Sequence, residues 1–204
     1  LKYYANILAP FSSLVLKKID EILSLNLQID IIAPSHGAIW REDPLQIVNL
    51  YAKWANNYQE DQITVVYDTM WDGTKTIAHK LGDEIKRLSN QTVVKVFSVA
   101  HDDKNDIMTE IFKSKAIAIG SPTVGNNILS SVGGFLHFMT ELKLKGKKAA
   151  VFGCYGWSGE NTKVLRKLLT EAGFEVINDE IRSNWNPTDE LLEKATIIAQ
   201  GLLN

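Results

Sequence analysis

The chain has 204 residues, 45% hydrophobic and 23% charged, with a net charge of −2; this is an ordinary globular composition, long enough for one domain or one domain with a piece of another. The charge balance gives no reason to expect nucleic acid or an anionic membrane as partner, and a single cysteine, Cys154, rules out an internal disulfide or a cysteine-rich metal site. No apolar run approaches the roughly 20 residues of a membrane span, and no signal-peptide order opens the chain, so a soluble, cytoplasmic protein is expected; the start at Leu1, without methionine, reads as a fragment or a processed product.

The first sixty residues differ from the rest. Phe11 to Leu25 has helical spacing, with Leu14, Ile19, Ile22 and Leu23 on one side. Ile29 to Ala33 reads as a short strand stopped by Pro34-Ser35-His36-Gly37, and Asp43-Pro44 is a helix start that predicts a helix to about Asn57. Glu60-Asp61-Gln62 is a polar break and the expected boundary, dividing residues 1–61 from residues 62–204.

From Ile63 strand and helix alternate. Strands are expected at Ile63–Tyr67, Val93–Val99, Ala116–Ile119, Ala149–Phe152 and Glu175–Ile177. Helices are expected at Thr74–Leu88, Lys104–Phe112, Ser131–Leu142, Glu160–Ala172 and Thr188–Leu203. Apolar runs of this kind predict an α/β sandwich, a parallel sheet covered by helices on both faces. Ligands of such folds sit beyond the carboxyl ends of the strands, where strand order reverses. Three loops are therefore candidates.

After the first strand, Thr69-Met70-Trp71-Asp72-Gly73-Thr74 sets hydroxyls at both ends of a turn into a helix. Free backbone N–H groups at a helix start attract phosphate. The turn has neither the GxxxxGK[ST] spacing nor the three glycines of GxGxxG; a lysine-free phosphate site of the flavin mononucleotide (FMN) type fits it. Asp72 would repel the anion unless its carboxylate points outward, and the bland alternative is an ordinary turn capped by Asp72 or Thr74.

After the third strand, Ser121, Pro122, Thr123, Val124, Asn126 and Asn127 form a turned, amide-rich loop suited to the edge of a flat heterocycle, or simply to a connection. After the fourth, Gly153, Cys154, Tyr155, Gly156, Trp157, Ser158 and Gly159 combine close backbone approach with two aromatic faces. Trp157 could instead pack under the next helix, and Cys154 reads as a small buried residue.

These strings, YDTMWDGT (67–74), GSPTVGNNIL (120–129) and FGCYGWSGE (152–160), resemble the flavodoxin-like domain of flavodiiron proteins (A-type flavoproteins), especially the flavorubredoxin nitric oxide reductases. IIAPSHGAIW (31–40) and YAKWANNYQED (51–61) resemble the end of the metallo-β-lactamase-like domain that precedes it. The resemblance implies a five-stranded parallel sheet of order 2-1-3-4-5 and an FMN site. The phosphate would lie on residues 69–74, and the ring between the 121–127 and 153–159 loops. It also implies an electron relay to a diiron centre that reduces nitric oxide to nitrous oxide or dioxygen to water, a head-to-tail dimer, and a donor such as rubredoxin or a reductase. His36 matches the last histidine ligand of that centre. The chain departs from the family in having Gly125 before the paired asparagines and in lacking the HxExDH cluster, so His36 is expected here as a hydrogen-bonded loop residue. Four cysteines for a rubredoxin domain are also missing. Two other readings remain: a stand-alone FMN-dependent NAD(P)H or quinone reductase, and a cofactor-free interaction scaffold of the same fold. A signalling receiver domain would need an aspartate where the third strand ends in Gly120-Ser121-Pro122.

Overall fold

A computed structural model describes residues 1–204. The chain begins with a π-helical turn (Tyr4–Leu8) and a 3-10 turn (Ala9–Phe11), then α1 (Ser12–Ser24) and α2 (Leu45–Ala55). An alternating series follows: β1 (Glu60–Tyr67), α3 (Gly73–Leu88), β2 (Val93–Ser98), α4 (Lys104–Lys113) and β3 (Ser114–Gly120). A small antiparallel hairpin comes next, β4 (Thr123–Val124) with β5 (Asn127–Ile128). The chain closes with α5 (Ser130–Glu141), β6 (Lys148–Tyr155), α6 (Asn161–Glu171), β7 (Glu175–Asn184), α7 (Asp189–Leu192) and α8 (Lys194–Leu203).

Five strands form one parallel sheet of order β2-β1-β3-β6-β7. Counted along the main sheet alone, this is the expected 2-1-3-4-5, with order reversing between β1 and β3. The period of two sorts side chains onto two faces. Val66, Ile117, Ile119, Ala149 and Val151 enter one core with Ile107, Ile111 and Leu165. Ile63, Val65, Tyr67, Ala118, Ala150 and Phe152 enter the other, with Ile77, Leu81 and Ile198. Burial on both faces is why the central strands read as unbroken apolar runs.

Several expectations change. Glu60-Asp61-Gln62 is strand and not loop: Glu60 opens β1 and Gln62 is buried, its Nε2 donating to the Glu110 carbonyl at 3.0 Å. Ile29–Ala33 makes no strand; a single antiparallel bridge, Ile32 with Trp40, is all the pairing it finds. The fifth sheet strand runs to Asn184, and the last helix is two, breaking at Glu193. No residue of α1 is fully buried: Val15 and Leu16 pack against the core, whereas Leu14, Ile22 and Leu23 are exposed. Residues 1–61 are nonetheless joined to the sheet's helical layer: Tyr4 is fully buried, with its ring centroid 5.1 Å from Tyr51, 5.6 Å from Trp54 and 5.7 Å from Phe112 of α4. Asn6 Nδ2 adds a 3.1 Å hydrogen bond to the Asn105 carbonyl.

Candidate functional site

The three loops meet at the carboxyl edge of the sheet around a cleft of about 630 Å³. That volume lies within the roughly 300–1,000 Å³ of small-molecule sites.

One end of the cleft is the turn between β1 and α3. Thr69, Met70, Trp71, Gly73 and Thr74 line it. The Thr69 N–H is committed to the Asp68 carboxylate at 2.7 Å, whereas the N–H groups of residues 70–75 donate to no protein acceptor. Asp68 is itself buried and also accepts from the Ser131 hydroxyl, which fixes the start of the turn against α5. Asp72 adopts the left-handed conformation (φ 60°) and gives α3 no side-chain cap. Its carboxylate points outward, 76% exposed and 3.6 Å from the Lys75 ammonium, so the repulsion expected of it is directed away from the turn. The Thr74 hydroxyl is buried without a hydrogen bond. Burial pushes the neighbouring Cys154 thiol up, with Thr74 opposing. That contact fails hydrogen-bond geometry, so Thr74 Oγ1 stays unpaired. An orphaned hydroxyl beside free amides at a helix start is the donor set that an anion would complete.

The second side is the stretch 121–128. Pro122, Thr123, Val124, Gly125 and Asn126 line the cleft. Ser121 does not: fully buried, it donates to the Pro122 carbonyl and accepts from the Leu129 N–H, stapling the loop. Asn127 turns its Oδ1 to the Ile128 N–H and also stands outside the lining. What the sequence presents as a plain loop is the β4–β5 hairpin, with Gly125 and Asn126 both at positive φ in its turn.

The third side carries Cys154, Tyr155, Gly156, Trp157 and Ser158. Trp157 is 92% exposed, so it does not pack under the following helix. Gly153 lies behind the surface, where a Cβ would stand 1.9 Å from the Ser121 carbonyl oxygen; glycine is what lets the second and third loops touch. Gly159 is likewise outside the lining, its carbonyl accepting from Arg182 at 3.3 Å. The Ser158 hydroxyl reaches the Asn126 amide oxygen at 3.2 Å across the loops.

Three residues escaped the sequence reading. Trp185 and Asn186 line the cleft from the end of β7, beyond the strand that local pattern delimits. Asn161, fully buried at the start of α6, donates from Nδ2 to the Ser121 carbonyl at 2.7 Å and from its N–H to Thr123 Oγ1 at 3.2 Å. An aromatic in the polar string Ser183-Asn184-Trp185-Asn186-Pro187 was the available signal for the first; Asn161 carried none.

His36 lies far from this chemistry in kind. It stacks on Tyr3 (centroids 4.7 Å apart), and no hydrogen bond to the protein replaces that contact, contrary to the expected hydrogen-bonded loop histidine. Nowhere do three His, Cys, Asp or Glu side chains gather as metal ligands. No helix is long and apolar enough to cross a membrane.

Comparison with known proteins agrees with this fold. The family model described as Flavodoxin matches residues 65–197. An anaerobic nitric oxide reductase flavorubredoxin of Vibrio vulnificus is 45% identical over 194 residues, covering 95% of this chain and 39% of that protein. Among solved structures, the rubredoxin oxygen:oxidoreductase of Desulfovibrio gigas superposes with a TM-score of 0.94 at 32% identity, over 99% of this chain and 50% of that one. The flavodiiron protein of Giardia intestinalis superposes at 0.89 and 29% identity, over 98% and 49%. The chain thus spans 39% to 50% of the length of these relatives. With its sheet order, its carboxyl-edge cleft and these matches, the chain belongs to the flavodoxin family, and its relatives are flavorubredoxins and flavodiiron proteins.

Proposed function

We propose that residues 62–204 form a flavodoxin-like domain that binds FMN and relays electrons. The observation that carries this reading is the pairing, in one cleft, of an unpaired hydroxyl and free amides on the turn after β1 with Tyr155 and Trp157 on the loop after β6. The phosphate would be held by the amides of residues 70–74 and the hydroxyls of Thr69 and Thr74. Pro122, Thr123 and Asn126 would meet one side of the ring, Tyr155, Gly156 and Trp157 the other. Ser121, Asn127, Gly153 and Gly159 support those contacts from behind. FMN, when bound, supplies stepwise electron transfer, with its potential set by the groups around the ring. Cys154 lines the cleft, and burial pushes its thiol up.

Residues 1–61 then belong to the end of a metallo-β-lactamase-like domain of a longer protein. The match of 99% of the chain to the oxygen oxidoreductase, this segment included, supports a flavodiiron parent over a stand-alone reductase. In that parent His36 would supply one ligand to a diiron centre, with its companion ligands contributed from outside these residues. The substrate of that centre would be nitric oxide or dioxygen, the two chemistries named for the relatives. A donor such as rubredoxin or a reductase would supply electrons, and head-to-tail pairing of two copies would bring each flavin to the other copy's metal centre. We place the parent in the cytoplasm.

Purified protein should be yellow and release FMN on heating, and the stripped protein should take FMN back. Colourless protein that refuses added FMN would overturn the site. Steady NADH oxidation without a partner would instead favour a stand-alone reductase.

A further inference from the structure

We propose that Trp185 is a positioning residue for the ring end of the cleft, holding the 155–158 loop in the form that accepts a flat heterocycle. The proposal rests on the FMN reading above and assigns the ring end to a residue outside the three loops.

The end of β7 grips this loop at several points. Asn184 pairs with Tyr155 in the sheet register, and its side-chain amide donates to the Gly156 carbonyl at 2.9 Å. The Trp185 N–H donates to the Tyr155 carbonyl at 2.7 Å. Arg182, on the same strand, sits over the Tyr155 ring at 5.7 Å. The indole of Trp185 lies against the backbone of Gly156, where a Cβ would come 2.9 Å from the ring and within 3.3 Å of two further ring atoms. Its centroid is 5.6 Å from that of Trp157, the planes 68° apart. An edge-to-face pair of this kind is a favourable aromatic geometry. It is also the one aromatic contact that Trp157 makes, and both indoles line the cleft.

The backbone adds a second argument. Trp185 has φ 59°, in the left-handed region that a bulky side chain rarely enters and that glycine or asparagine takes without strain. Burial does not hold it there, since it is 60% exposed. A strained, exposed tryptophan wedged against a glycine at the mouth of a cleft has a function in setting that mouth.

The test uses stripped full-length chain titrated with FMN and with riboflavin, together with the midpoint potential of bound FMN. Trp185→Ala should weaken both flavins by the same factor, roughly tenfold, the upper end of what one aromatic contact gives. Its FMN-to-riboflavin ratio should stay at the wild-type value, and the potential should shift. Thr74→Val, at the phosphate end, should weaken FMN alone. Trp185→Phe should restore part of the loss. Trp185→Gly should lose affinity like alanine while keeping or raising the Tm of the stripped protein, which separates positioning from stability. Gly156→Ala, which displaces the indole, should reproduce the loss and carries the test if Trp185→Ala does not fold. Trp185→Ala and Trp185→Gly binding both flavins within about twofold of wild type, at unchanged potential, would overturn the proposal and leave the FMN site standing. Wild-type protein that takes neither flavin would overturn both.

Discussion

The two edges of the one sheet solve opposite problems. At the amino edge, polar groups that enter the protein are paired. Lys147, 4% exposed, donates to the carbonyls of Tyr58, Phe112 and Ser114 at 3.1, 2.9 and 2.6 Å. Thr64 and Ser114 hydroxyls meet at 2.8 Å, Gln62 joins them, and the Tyr58 hydroxyl bonds Glu60. At the carboxyl edge, the Thr74 hydroxyl, Glu160 Oε2 and Asn161 Oδ1 are buried without partners. Of these three, only Thr74 lines the cleft, and its unpaired hydroxyl is the group that the proposed ligand would satisfy.

That contrast breaks most visibly at Lys147. Lys147→Met should leave three buried carbonyls unpaired and lower unfolding free energy by about 3 kcal/mol in denaturant titration, with FMN affinity unchanged. An affinity loss of similar size would show that the edges are coupled. The same residue sets a pH signature. Burial pushes its ammonium down to about 8 from the ordinary 10.5. Between those values the unfolded chain holds a proton that the folded protein has released, so stability rises with pH across the window. The gain, no more than about 3 kcal/mol, should vanish in Lys147→Met, and a flat wild-type profile would contradict the assignment.

At the other edge, Thr74→Val sharpens the comparison by moving two quantities apart. FMN affinity should fall by about 1.5–3 kcal/mol, the value of a charge-assisted hydrogen bond. Stability of the stripped protein should hold or rise, because valine removes a buried hydroxyl that has no partner. A parallel loss of stability and affinity would mean that Thr74 is structural. The smallest effect is expected at Asp72, whose outward carboxylate already faces Lys75. Asp72→Asn should tighten FMN by about 0.5 kcal/mol at low ionic strength and by less in salt, since an exposed charge is screened. A large change would place the carboxylate inward when the ligand is bound.

Much of this was legible in the chain. β1, β3 and β6 read clearly because both their faces are buried, which demands unbroken apolar runs. The turn after β1 was legible as a candidate anion site too, because hydroxyls between a buried strand and an amphipathic helix are a local chemical pattern. Ile29–Ala33 misled for the converse reason. It has strand composition but meets a partner only at Trp40, and composition cannot supply the neighbour that a strand requires.

The sequence by itself determined the alternation of elements, the class of sheet and the three loops that line the cleft, since each depends on neighbours within a few residues. The tertiary structure alone decided which groups in those loops face the cleft. Ser121 turns inward to staple the backbone, exposed Asn127 turns to its neighbour's N–H, Asp72 turns outward, and Asn161 ties one loop to another. It alone also extended β7, whose register shifts between its pairings with Ala149 and Val151, so that no simple alternation marks its course to Asn184. Edge strands are specified by the hydrogen bonds of the strand beside them, and that neighbour is what carries Trp185 to the site.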